Sequence, residues 1–255
     1  MPTGGAVTLS VSRVRDQDGV LGLEVNVDGG LVQTWPNWLA IAFDRLQEAN
    51  DARQRLTVTA AGRVGEAEAG ALMEEYQAGM QAISSAVFAV DALYGVIAGM
   101  ITVPEAEIAR RKQRNDGRAV WVADAIIRAS ARMPNDVRKA MTQSIHKAYR
   151  ARDLTVHPPH VQEPYALHPQ LLNTRVPKRW IDYNFETSME LARWVVEAMI
   201  WVIDHPQPRN RALTAWATIA SGMLHRIEDP FMNADPSSPL AARPSTADPA
   251  STPAS

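Results

Sequence analysis

The chain has 255 residues and a formal net charge of −2, with 26 Lys and Arg residues against 28 Asp and Glu residues and no cysteine. Its length suffices for one large domain with a buried core. The lack of cysteine excludes disulfides, thiolate metal sites and cysteine nucleophiles, and the near-neutral charge means that nucleic-acid binding would need a local basic surface.

The N-terminal region has a β-hairpin pattern. Apolar and polar residues alternate over 7–11 and over 21–27, on either side of the turn sequence Asp16-Gln17-Asp18-Gly19. A helix is predicted after Thr34, followed by a short strand over 56–59.

The rest of the chain has a helical pattern. Apolar residues recur every three or four positions from Glu66 to Ile101, which predicts one long helix of about nine turns. The region 157–177 contains several prolines and is predicted to be an irregular loop. Further helices are predicted over 102–115, around 120–127, from 134 to between 152 and 157, over 178–204 and over 209–226.

These patterns predict a mainly α protein, an α-helical bundle with a small N-terminal appendage. Residues 1–65 would form an α+β region made of the hairpin and one helix, residues 66–230 the bundle, and residues 231–255 a disordered tail rich in Pro, Ser and Ala. The basic run 110–114 is predicted to lie on a solvated helix face.

Two features favour a cytoplasmic location. The segment 1–10 lacks a basic region followed by an apolar one, so no signal peptide is predicted. The longest apolar stretches, 86–101 and 194–203, are interrupted by Asp91 and Glu197, and no membrane span is predicted.

The main candidate site is the run Arg152-Asp153-Leu154-Thr155-Val156-His157-Pro158. It places a permanent cation, a carboxylate and a titratable imidazole at the end of an amphipathic helix. On a continuous helix Arg152 and His157 would be about 140° apart. Because Pro158 disfavours helical backbone at His157, we expect the helix to end between them and the chain to fold over its end.

The helix that precedes this run has a basic face, which includes His146, Lys147 and Arg150. These residues, with His160 in the following loop, are the candidate RNA-binding residues. Arg150 also lies at a suitable spacing from His157, so either Arg150 or Arg152 could be its partner.

The Arg152-Asp153…His157-Pro158 pattern, within a helical bundle over about 72–204, resembles the HEPN family. The resemblance implies a homodimer in which two motifs face each other, with Arg152 and His157 in the catalytic positions and Asp153 in the adjacent polar position. It also implies metal-independent endoribonuclease activity in a toxin or anti-phage defence system, where an antitoxin protein is a possible partner.

The chemistry of RNA cleavage fits these residue types. The 2′-hydroxyl of RNA is the nucleophile, so an enzyme needs a base, a cation for the phosphorane and an acid for the 5′-oxygen. The expected products are a 2′,3′-cyclic phosphate and a 5′-hydroxyl. Neither a metal nor another cofactor is predicted, and DNA is not an expected substrate because it lacks the 2′-hydroxyl.

Other interpretations remain open at this level. Arg152 and His157 could simply complement the carbonyls and dipole at a helix C-terminus. A non-catalytic module could use the same basic face to bind RNA, a nucleotide or a protein, or the chain could be a structural interaction protein. The histidines at 157, 160 and 168 could suggest a metal site, although no carboxylate accompanies them.

Overall fold

The structure, a computed structural model, confirms the mainly α prediction. It describes residues 9–15, 21–27, 33–56, 65–157, 163–169, 171, 173–224 and 227. Two antiparallel strand pairs are present there, β1 (Leu9–Arg15) with β2 (Leu21–Val27) and β3 (Tyr165–Leu167) with β4 (Arg175–Pro177). The helices are α1 (Trp35–Gln54), α2 (Glu66–Ala98), α3 (Glu105–Arg114), α4 (Arg118–Ala129), α5 (Asn135–Val156), α6 (Lys178–Asp182), α7 (Phe185–Asp204) and α8 (Arg211–Leu224).

The predicted N-terminal hairpin is confirmed in its backbone. Strands β1 and β2 pair in register with Leu9 opposite Val27. The predicted strand over 56–59 lies, beyond Leu56, outside the described residues, as does the predicted tail over 231–255.

Helix α1 starts after Thr34, as predicted, and belongs to the main core. Its buried face carries Trp35, Leu39 and Leu46, which are at most 2% exposed. These side chains lie in one hydrophobic cluster with residues of α2, α4, α5, α7 and α8. The helical part of the predicted appendage is therefore an integral member of the bundle, because its apolar face is buried against α2.

The long helix α2 is confirmed at 33 residues and lies at the centre of the bundle. By length and hydropathy alone it is a candidate membrane span, but 56% of its apolar window is buried inside the bundle. Most of the apolar side chains of α2 are thus buried in the hydrophobic core, among them Ile83, Val87 and Leu93.

Helices α3 and α4 are joined by a ring of two arginines and two carboxylates. Arg128 Nη2 lies 2.6 Å from Glu107 Oε2, and its Nε lies 2.5 Å from Asp124 Oδ2. Arg111 pairs with the same two carboxylates, at 3.0 Å from Asp124 Oδ2. The side chain of Arg111 is 6% exposed, so the predicted solvated face over 110–114 is wrong at this position.

The predicted helix 178–204 is in fact two helices, α6 and α7. The break falls at Tyr183 and Asn184, and the Asn184 side chain accepts a hydrogen bond from the Thr187 backbone N–H at 2.9 Å. This cap satisfies one of the free N–H groups at the start of α7 and so fixes the position of the break.

Among the described residues of the region 157–177, which was predicted to be irregular, β3 and β4 form a short hairpin. Tyr165 lies opposite Pro177 and Leu167 opposite Arg175. The Lys178 N–H donates to Pro164 O at 2.9 Å, which ties the start of α6 to this hairpin.

A glycine lets α2 approach the α6–α7 junction closely. A Cβ added to Gly79 would lie 2.1 Å from the Tyr183 carbonyl oxygen and 2.6 Å from Ser188 Oγ. No side chain fits there, so Gly79 sets how near the junction lies to the central helix.

The start of α1 and the last described helix are held by one side chain. The Gln33 amide oxygen accepts hydrogen bonds from the indole N–H groups of Trp35, at 2.9 Å, and Trp216, at 3.1 Å. Both buried indoles thereby satisfy their only polar group.

Candidate functional site

Helix α5 carries most of the candidate residues. Its inner face buries Met141, Ile145 and Ala148 in the core, whereas Lys147 and Arg150 are exposed on its outer side. His146, also exposed, belongs to the same outer surface. The amphipathic pattern therefore leaves the basic side chains of α5 accessible to a ligand.

Helix α5 continues through most of the motif and does not break soon enough to bring Arg152 and His157 to one face. The helix ends at Val156, between Arg152 and His157 as predicted, and His157 has φ −126° and ψ 68°. The His157 N–H still donates to Asp153 O at 2.8 Å. The backbone is thus helical throughout the interval, and Arg152 and His157 extend from different faces of α5.

Arg152 faces α2. Its guanidinium lies over the ring of Tyr149, at 5.3 Å from the centroid, and 6.0 Å from that of Phe88. Its Nε is 3.2 Å from Asp153 Oδ1, an ion pair whose angle does not make a hydrogen bond. Within the described part of the chain, no hydrogen bond or ion pair joins Arg152 to His157, so the structure does not bring the two motif residues together in one copy.

Tyr149 is fixed beneath Arg152 by a polar cluster that the sequence did not predict. The Tyr149 hydroxyl donates to Asp91 Oδ1 at 2.5 Å, and Arg118 Nε donates to the same oxygen at 2.7 Å. Burial, and then the hydrogen bond to Asp91, raise the pKa of Tyr149, so the phenol stays protonated and remains a donor. The available signal was Asp91 itself, an acid within the apolar stripe of α2.

A cleft of about 420 Å³ lies between α5, α6 and α7. Two ion pairs lie along it, Lys178 with Asp182 at 2.6 Å and Arg179 with Glu163. The residues that line it are Lys147, Arg150, Ala151, Leu154, Glu163, Pro164, Lys178, Arg179, Asp182, Tyr183 and Leu191. Of these residues, only Lys147 and Arg150 were predicted from the sequence to bind a ligand, because the cleft depends on where α6 packs.

The cleft has excess positive charge on its α5 wall. Lys147 Nζ lies 5.5 Å from the centroid of the Trp194 ring, and among the described residues it has no hydrogen-bond or ion-pair partner. Arg150 makes no ion pair with any residue that the structure describes. Since the four other charges of the cleft pair among themselves, Lys147 and Arg150 are the uncompensated cations.

Of the two candidate arginines, Arg150 shares a face with His157. Seven positions on a helix correspond to a rotation of about 20° and a rise of about 10 Å. Both side chains are exposed, as is Asp153. Arg150 is thus on the same side of α5 as His157, whereas Arg152 is turned toward Tyr149.

The other histidines of this region contribute differently. His160 lies outside the described residues. His168 is 5% exposed and accepts a hydrogen bond at Nδ1 from the Leu171 N–H at 3.2 Å. Burial lowers the pKa of His168, and Arg53 adds to the effect. Among the residues that the structure describes, no group of three His, Asp or Glu side chains is placed to hold a metal ion.

No family model, curated protein or solved structure matches the chain.

Proposed function

We propose that the protein binds single-stranded RNA along the basic face of α5 and cleaves it without a metal ion, as a HEPN-type endoribonuclease. The observation that supports this most directly is the shared face of Arg150 and His157, beside a cleft in which Lys147 and Arg150 are uncompensated. An exposed imidazole on the same helix face, about 10 Å along the axis from Arg150, can exchange protons with an RNA strand whose phosphates the unpaired cations hold.

In the proposed reaction His157 removes the proton of the 2′-hydroxyl. The 2′-oxygen then attacks the adjacent phosphorus, and an arginine stabilises the negative charge of the phosphorane. The bond to the 5′-oxygen breaks as that oxygen receives a proton, which leaves a 2′,3′-cyclic phosphate and a 5′-hydroxyl. A second copy of the chain would supply the acid for this last step, in line with the dimer that the HEPN resemblance implies.

The two arginines have different places in this proposal. Arg150 and Lys147 contact the phosphate backbone, since both line the cleft. Arg152, held over Tyr149, approaches a phosphate only from the α2 side of α5. His146, exposed one position before Lys147, extends the basic surface.

In the cell the enzyme would act in the cytoplasm as a toxin or defence effector, restrained by an antitoxin protein.

The test is cleavage of a labelled single-stranded RNA in EDTA. Wild type is expected to give the cyclic-phosphate product, His157→Ala to give none, and Arg150→Ala and Arg152→Ala to reduce the rate about 10²- to 10³-fold. Arg138→Ala is the matched control, because Arg138 is an exposed cation on α5 outside the cleft. Cleavage that survives His157→Ala would exclude the site.

A non-catalytic RNA-binding module is the second candidate. It is favoured by the different faces of Arg152 and His157, which in one copy do not form a joint site. This alternative predicts binding whose affinity falls as salt rises, with loss of affinity in Lys147→Ala and Arg150→Ala and no cyclic-phosphate product at any enzyme concentration.

A further inference from the structure

We propose that the cleft between α5, α6 and α7 is a binding site for one unstacked nucleotide of single-stranded RNA. Its apolar surface takes the base, while Lys147 and Arg150 hold the attached phosphate. The inference rests on the proposed function, because it names the part of the substrate that is bound next to the cleavage site.

The size and walls of the cleft suit a single nucleotide. A volume of about 420 Å³ lies within the range of small-ligand pockets. Leu154, Pro164 and Leu191 are among its lining residues and supply apolar surface. The Tyr183 hydroxyl donates to Ala151 O at 2.7 Å, which holds the α6 wall at a fixed distance from α5.

The charges of the cleft select an anionic group on one side only. Lys178 and Arg179 are neutralised by Asp182 and Glu163. The remaining positive charge belongs to the α5 wall, where an arginine and a lysine can share the oxygens of one phosphate. A ligand with an apolar planar body and a single phosphate is complementary to this arrangement.

Single-stranded RNA, the proposed substrate, can offer such a ligand. Its bases can leave the stack and be buried individually, whereas the bases of an A-form duplex are held inside it. Burial of one base beside Leu154 would also bring its phosphate to Arg150, on the helix face that ends in His157.

The binding test uses the full chain and no cleavable substrate. Each ribonucleoside 5′-monophosphate, adenosine alone and inorganic phosphate alone are titrated by calorimetry. We expect at least one nucleotide to bind at least about tenfold more tightly than adenosine or phosphate, because only the nucleotide engages both walls. The nucleotide-binding site would be refuted if no nucleotide bound, or if inorganic phosphate bound as tightly as the nucleotides.

A pair of variants on one helix tests the location. Leu154 and Val156 are both exposed apolar residues of α5, at 44% and 51%, but only Leu154 lines the cleft. Leu154→Glu should weaken nucleotide binding at least about tenfold, since it opposes the phosphate and removes apolar surface. Val156→Glu adds the same charge outside the cleft and should change the affinity far less. Equal weakening by both variants would assign the effect to net charge and overturn the location.

The cleavage assay separates this inference from the proposed function. Leu154→Glu is expected to raise KM for RNA at least about tenfold. If this variant cleaves RNA with an unchanged KM, the nucleotide-binding site is refuted and the proposed ribonuclease activity is not. If the protein binds nucleotides but never cleaves RNA, the nucleotide-binding site is supported and the ribonuclease activity is refuted.

Discussion

Replacement of Gly79 by alanine should destabilise the protein, although the same exchange usually stabilises a helix. At an open helical position, Gly→Ala contributes about 1 kcal/mol of stability. At Gly79 the new Cβ would lie 2.1 Å from the Tyr183 carbonyl oxygen, where real Cβ atoms stay beyond 3.0 Å. The obstacle is backbone, so α2 and the α6–α7 junction must separate by about 0.9 Å. Overpacking of a buried contact costs about 1–3 kcal/mol, and a backbone obstacle this close places Gly79→Ala at the upper end. After the helix-propensity gain of about 1 kcal/mol is subtracted, we expect a net loss of about 2 kcal/mol relative to wild type.

Gly70 provides the matched control. It lies in the same helix, and a Cβ added there meets nothing within 4 Å, so Gly70→Ala should raise the free energy of unfolding by up to about 1 kcal/mol. Urea unfolding followed by far-UV circular dichroism gives both values. Ser188→Ala in the Gly79→Ala background should recover little, because the nearer obstacle is the Tyr183 carbonyl. If Gly79→Ala is as stable as Gly70→Ala, the close approach of α2 to the junction is refuted.

Three further changes test single contacts. Tyr149→Phe removes the hydrogen bond to Asp91 and should lower the free energy of unfolding by about 1–2 kcal/mol in urea titrations; an unchanged midpoint would contradict the bond. Asn184→Ala removes the cap of α7 and should cost about 1 kcal/mol, whereas Asn184→Asp keeps the acceptor and most of the stability; equal loss in both would argue against the cap. The hydrogen bond from Arg111 lowers the pKa of Glu107. The ionised Glu107 carboxylate therefore stabilises the folded protein fully above its ordinary pKa of 4.5, and this contribution to the free energy of unfolding is lost as pH falls through the lowered pKa. The difference in urea midpoint between wild type and Glu107→Gln should therefore narrow below about pH 4.5, and a difference that widens there would refute the assignment.

The elements predicted correctly from the sequence are those with one strong sequence pattern. The periodicity of α2 extends over about nine turns, and α1 begins beside Pro36, so both were predicted correctly. The break at Asn184 was missed because apolar spacing continues through it, and only the side-chain cap in the structure separates α6 from α7. Strands of three residues, such as β3, are too short for alternation to identify them.

For the candidate site, the sequence indicated which residues to consider but not how their side chains are arranged. Residue types and spacing were enough to select Arg152 and His157, and Pro158 correctly predicted a helix end between them. The direction of each side chain depended on how far α5 stays helical, which spacing does not specify. Asp91 was not selected because its partner Tyr149 is 58 positions away in the chain, and such contacts follow only from packing.

The double hydrogen bond of Gln33 has a consequence for the order of folding. Its two indole donors, Trp35 and Trp216, belong to the first and the last described helix along the chain, and the bond from Trp216 spans 183 positions. During synthesis α1 and α2 are complete long before α8 has left the ribosome. The contact between Gln33 and α8 can therefore form only after the rest of the described bundle has been synthesised, and loop closure over such a distance is slow. Until then, the amide oxygen of Gln33 can accept a hydrogen bond from only one of its two indole donors, Trp35.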